Sequence, residues 1–107
     1  MKYRNVGKAG IKVSEIALGS WMTDLRGTAQ EDTAKEIIRL AYENGINFFD
    51  CADAYSNGAA EVFLGNVLNE YPRKDLVISS KVYFPNNVII PVIIVSKIPV
   101  TSLFIQL

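Results

Sequence analysis

The sequence predicts an α/β fold built on a parallel sheet. Two observations carry that expectation. Apolar runs of strand length, Ile46–Cys51 and Leu76–Val82, alternate with stretches of helical periodicity. Turn and helix-stop residues mark the boundaries between them. Strands and helices alternating in this way join parallel neighbours by right-handed crossovers. At 107 residues the chain is at most one domain.

Taken in order, residues 2–13 place two short runs around Val6-Gly7-Lys8-Ala9-Gly10 and read as a β-hairpin. Glu15–Gly19 reads as a short buried strand, and Trp21–Gly27 as a loop. Thr28 and Glu31 have capping-box spacing and open the first helix. Ala34, Ile37, Ile38 and Ala41 fall at i, i+3, i+4 and i+7, which gives that helix one apolar face. Gly45 stands where a residue comfortable at positive φ ends a helix. The strand Ile46–Cys51 follows, then a turn at Ser56-Asn57-Gly58. Ala60, Phe63, Leu64, Val67 and Leu68 mark a second amphipathic helix, with Pro72 just past its end. Leu76–Val82 is the third strand of the alternation, apolar until Ser79-Ser80-Lys81.

Composition removes several classes of function. The 11 basic and 11 acidic residues balance, which disfavours nucleic acid and anionic membrane surfaces as partners. With no histidine, neither His-based catalysis nor His metal ligation is available, and no metal site is expected. The lone Cys51 excludes an internal disulfide and fits a reducing compartment. Met1–Asn5 has basic residues but no apolar run behind it, so it does not read as a signal peptide. Residues 88–107 are mostly Ile, Val and Leu, broken by Pro91 and Pro99 and carrying Lys97. The prolines, the lysine and the β-branched residues argue against a membrane span. The same composition marks an aggregation-prone segment.

The chemistry-bearing residues gather at strand ends. Asp50 and Tyr55 follow the strand Ile46–Cys51, and Lys81 closes the next. Parallel α/β folds place their sites at the C-terminal ends of strands. Taken singly, each residue has a plainer reading. Asp50 caps a turn, Tyr55 is a loop aromatic, Lys81 is a solvated strand end and Trp21 fills core. Cys51 reads as a small buried hydrophobe rather than a nucleophile.

Together the motifs point further. Gly10-Ile11-Lys12-Val13-Ser14-Glu15-Ile16 and then Leu18-Gly19-Ser20-Trp21 resemble the opening of the aldo-keto reductase family, closest to its potassium-channel β-subunit-like branch. Ala41-Tyr42-Glu43-Asn44-Gly45-Ile46-Asn47-Phe48-Phe49-Asp50 is similar to the same family, as is Ala52-Asp53-Ala54-Tyr55 leading to Glu61-Val62-Phe63-Leu64-Gly65-Asn66. Val77-Ile78-Ser79-Ser80-Lys81-Val82 completes the likeness. It covers roughly residues 2–84 and divides a domain, 1–84, from an apolar tail, 85–107, that does not share it.

The resemblance implies the N-terminal portion of a (β/α)₈ TIM barrel: a β-hairpin plus about three βα units of a fold that needs about 250 residues. It implies NADPH-dependent reduction of aldehydes and ketones. Carried over residue by residue, Asp50, Tyr55 and Lys81 take catalytic positions. Gly19, Ser20, Trp21 and Asp50 lie against the cofactor. The fourth catalytic position is a histidine after the next helix, and this chain has none. A tyrosine hydroxyl ordinarily ionises near pH ~10. A neighbouring ammonium makes it a readier acid. Lys81 would supply that charge, and Asp50 would hold Lys81 in place and protonated.

The expectations that follow are specific. The chain descends from an NADP(H)-dependent carbonyl reductase with Tyr55 as proton donor, but is a truncated, inactive fragment. Much of the family's phosphate contact comes from late barrel loops, so tight NADPH binding is not expected. The alternative is a non-catalytic interaction or membrane-associated module working through the tail. A cytoplasmic location is expected, with a small carbonyl compound as substrate of the intact fold. Open sheet edges and the apolar tail favour self-association.

Overall fold

The computed structural model describes residues 1–21 and 28–82. The loop 22–27, the side chain of the expected cap Thr28, and the apolar tail 85–107 lie outside the described residues. Strands β1 (Tyr3–Asn5) and β2 (Lys12–Ser14) form the expected antiparallel hairpin, with Tyr3 opposite Ser14. Three further strands form one parallel sheet in the order β3 (Leu18–Gly19), β4 (Phe48–Asp50), β5 (Val77–Ser79). Helix α1 (Thr28–Glu43) connects β3 to β4, and α2 (Ala59–Leu68) connects β4 to β5.

The two-residue period of a strand assigns the faces of this sheet. Phe49 is fully buried and packs with Ile38 and Ala41 of α1 and Leu64, Val67 and Leu68 of α2. Its neighbours Phe48 and Asp50 therefore take the opposite face. The register pairs Gly19 with Asp50 and Asp50 with Ser79. Ladder bonds continue past the strand ends. Ser20 N–H donates to the Asp50 carbonyl at 2.9 Å, Cys51 N–H to Ser79 at 2.8 Å, and Asp53 N–H to Lys81 at 3.0 Å. Among the described residues, the outer edges of β3 and β5 have no strand beside them. Among them too, no helix is long and apolar enough to cross a membrane.

Two expectations are corrected. The strand drawn from Glu15 begins only at Leu18, and Ile16 is 59% exposed. The Ser14 hydroxyl donates to the Ile16 carbonyl at 2.6 Å, which bends the chain between hairpin and sheet. Ile37, assigned to the buried face of α1, is 49% exposed, whereas Ile38 and Ala41 are core. It lines a groove of about 440 Å³ with Leu18, Ala34 and Phe63, beside the open edge of β3.

Asn47 is the main tie between the hairpin and the foot of β4. Asn47 Oδ1 accepts from the Ser14 backbone N–H at 2.7 Å, and Asn47 Nδ2 donates to the Lys12 carbonyl at 3.0 Å. The Asn47 N–H donates to Ser14 Oγ at 3.2 Å. Gly45 adds a second anchor, since its carbonyl accepts from Tyr3 Oη at 2.8 Å. At φ +87°, a Cβ on Gly45 would stand 2.9 Å from that same oxygen, so glycine is required both by conformation and by space. Asn47→Ala strands the buried Ser14 N–H without a partner. It should lower stability by about 1–3 kcal/mol, read as a lower denaturation midpoint at unchanged slope in urea.

Candidate active site

β4 ends at Asp50, and the ladder beyond β5 delivers Lys81 to the same end of the sheet. Tyr55 opens the 3₁₀ turn Tyr55–Gly58 that leads into α2. This turn is strained: Ser56 and Asn57 hold φ +49° and +54°, left-handed values that side chains disfavour. The turn places Tyr55 at the margin of the core, packed against it, with its hydroxyl within reach of Lys81 at the strand ends.

The three side chains converge. Lys81 Nζ donates to both Asp50 oxygens at 2.8 and 2.7 Å, and to the Cys51 carbonyl at 2.8 Å. It also reaches Tyr55 Oη at 3.4 Å and lies 5.2 Å from the centre of that ring. An ammonium has three protons and accepts none, so these acceptors saturate it. Burial alone would push the Lys81 pKa down. The hydrogen bonds and charges of Asp50 and Tyr55 together outweigh it, and the net shift is upward. Lys81 is thus firmly cationic at neutral pH.

Trp21 does not fill the core. It is 73% exposed and stacks on Tyr55, with ring centres 5.6 Å apart and planes inclined by 21°. The phenol ring is thus in contact with both an indole and an ammonium. Gly19 lies open on the same rim, with no atom within 4 Å of where a Cβ would stand. Ser20 is buried, and its hydroxyl donates to the Asp50 carbonyl at 3.0 Å. Cys51 is buried behind Asp50, where desolvation pushes its thiol pKa up. That is the inert hydrophobe expected of it.

Two hydroxyls at the site were given no role in the sequence reading. Ser79 Oγ donates to Asp50 Oδ1 at 2.6 Å, and Ser80 Oγ bonds Glu61 Oε1 at the start of α2. The visible signal was the polar pair Ser79-Ser80 interrupting an apolar strand just before Lys81. Strand alternation sends the two serines to opposite faces, one toward the carboxylate and one toward the helix.

The Lys81–Asp50 pair makes stability depend on pH in a defined direction. Its folded pKa lies above the unfolded value of about 10.4. The stabilisation is fully present below that pH and is lost as pH rises through the folded value. Urea denaturation should show the wild-type chain more stable than Lys81→Met at pH ~8, with the gap narrowing as pH rises through the folded Lys81 value.

With this geometry in hand, the likeness to known proteins is specific. The Aldo/keto reductase family model matches residues 15–97. Aldo-keto reductase AKR11C1 from Bacillus halodurans, in its holo form, is similar at 35% identity and a TM-score of 0.65, over 81% of this chain and 28% of that one. A thermostable aldo-keto reductase in complex with the inhibitor epalrestat is similar at 27% identity and a TM-score of 0.69, over 78% of this chain and 31% of that one. The chain thus spans under a third of the length of these two structures. Its hairpin, parallel strands and intervening helices are the N-terminal portion of the same TIM barrel, and the chain belongs to the aldo/keto reductase family.

Proposed function

We propose that Asp50, Tyr55 and Lys81 are the proton-donating half of a site for NADPH-dependent reduction of aldehydes and ketones. The observation that carries this reading is the Lys81 ammonium, bonded at once to the Asp50 carboxylate and the Tyr55 phenol at the open end of a parallel sheet. A carbonyl oxygen lying against Tyr55 Oη takes the phenolic proton as its carbon is reduced. The phenolate left behind is stabilised by the adjoining ammonium. Asp50 keeps that ammonium charged and aimed.

NADPH, when bound, supplies the hydride. The residues present fit its nicotinamide end. Trp21 offers an exposed flat face beside Tyr55, and side-chain-free Gly19 leaves open space on the rim. Asp50 and Ser20 line the base of that rim, with the Ser20 hydroxyl turned inward onto the Asp50 carbonyl. No phosphate-cradling glycine motif occurs in the sequence to hold the rest of the cofactor. The 107 residues also hold no histidine to orient a carbonyl. In this reading domain 1–84 carries the half-site, and the whole works in the cytoplasm. These residues by themselves do not turn over, and their open edges favour self-association.

Two measurements test this. Fluorescence titration of the 107-residue chain should show no saturable NADPH binding in the micromolar range; saturation there contradicts the assignment of phosphate contacts to other segments. A chimaera should then carry residues 1–84 in place of the matching segment of AKR11C1. It should oxidise NADPH in the presence of aldehydes and lose about 10²–10⁴-fold in kcat on Tyr55→Phe. Equal rates with and without the phenolic oxygen would remove Tyr55 as the donor.

A further inference from the structure

We propose that Ser79 is a positioning residue whose hydroxyl locks the Asp50 carboxylate in the orientation that grips the Lys81 ammonium with both oxygens. This rests on the proposed role of the Asp50–Tyr55–Lys81 group. Three observations support it. Ser79 is the register partner of Asp50 in adjoining parallel strands, so the two side chains leave the sheet on the same face. Ser79 is 8% exposed, and its Oγ lies 2.6 Å from Asp50 Oδ1, so the hydroxyl is held in place by its surroundings. Lys81 follows two residues later, and the bond from Asp53 N–H to the Lys81 carbonyl keeps the ladder in step to that point. One stretch of chain therefore presents both the lock and the charge.

The arrangement removes a freedom that a carboxylate otherwise has. An Asp side chain turns easily about its terminal torsion. Asp50 would then offer Lys81 one oxygen or two, at varying distance. With Oδ1 held by Ser79, the carboxylate plane is fixed and both oxygens stay within 2.8 Å of Nζ. The ammonium in turn stays over the Tyr55 ring. Ser80 has no such part, because its hydroxyl is committed to Glu61 on the other side of the strand.

The test follows the titration of the Lys81 Cε and Nζ nuclei by heteronuclear NMR in the full 107-residue chain, with the resonances assigned through Lys81→Arg. In Ser79→Ala the Lys81 midpoint should fall toward the ordinary lysine value, and Ser79→Thr, which keeps the hydroxyl, should restore it. Ser80→Ala should leave it in place. An unchanged or raised midpoint in Ser79→Ala overturns the inference. So does a Thr variant as altered as the Ala variant, since the effect would then belong to packing and not to the hydroxyl. If Lys81 in the unmutated chain titrates like its other lysines, the Asp50–Lys81 pair itself is absent. The proposed function then falls along with this inference, and the wild-type curve alone reveals it.

Discussion

The site depends on where the Lys81 ammonium can spend its three protons. The Asp50 carboxylate, the Cys51 carbonyl and the Tyr55 hydroxyl surround it, and three segments of the chain bring the group together. Asp50 and Cys51 arrive on β4. Lys81 arrives on the continuation of β5, and Tyr55 returns over the top on a left-handed turn. Parallel register is what makes the routes meet. A slip of one residue between β4 and β5 would turn Asp50 and Ser79 to opposite faces and dissolve the group.

That register is secured from two sides. Behind the sheet, Phe49 is clamped between the helices, and burial of such a side chain contributes about 1.5–3 kcal/mol. Beneath it, Asn47 ties the hairpin to the foot of β4, while Gly45 lets Tyr3 close in on the backbone. In front, among the described residues, no further strand lies beside β3 or β5 to close over Phe48 and Asp50. A TIM barrel would supply a wall there and cover the free edges of β3 and β5. The chain presents the Asp50–Tyr55–Lys81 group at the end of a packed sheet whose β3 and β5 edges, among the described residues, are open.

Much of this could be read from the residues. The helix stop at Gly45 and the stripe Ala60–Leu64–Val67–Leu68 carry local signals and form as expected, while the apolar run Ile46–Cys51 holds a strand confined to Phe48–Asp50. Position along the chain also revealed that Asp50, Tyr55 and Lys81 sit at strand ends. Ile16 and Ile37 were misjudged because apolar periodicity marks a face without saying what lies against it. The Ile16 segment bends through a serine side-chain bond, and Ile37 faces the open flank of β3. The role of Ser79 was invisible for a related reason. A serine near the end of a strand has no signature until the register sets it opposite a carboxylate.

The most direct test of convergence is proximity in solution. Nuclear Overhauser spectra of the chain should connect the Lys81 Hε protons to the Tyr55 ring and the Tyr55 ring to the Trp21 indole, as the 5.2 and 5.6 Å separations require. A Lys81 side chain whose only contacts are to its sequence neighbours, in a chain whose Phe49 core contacts are intact, would contradict the account.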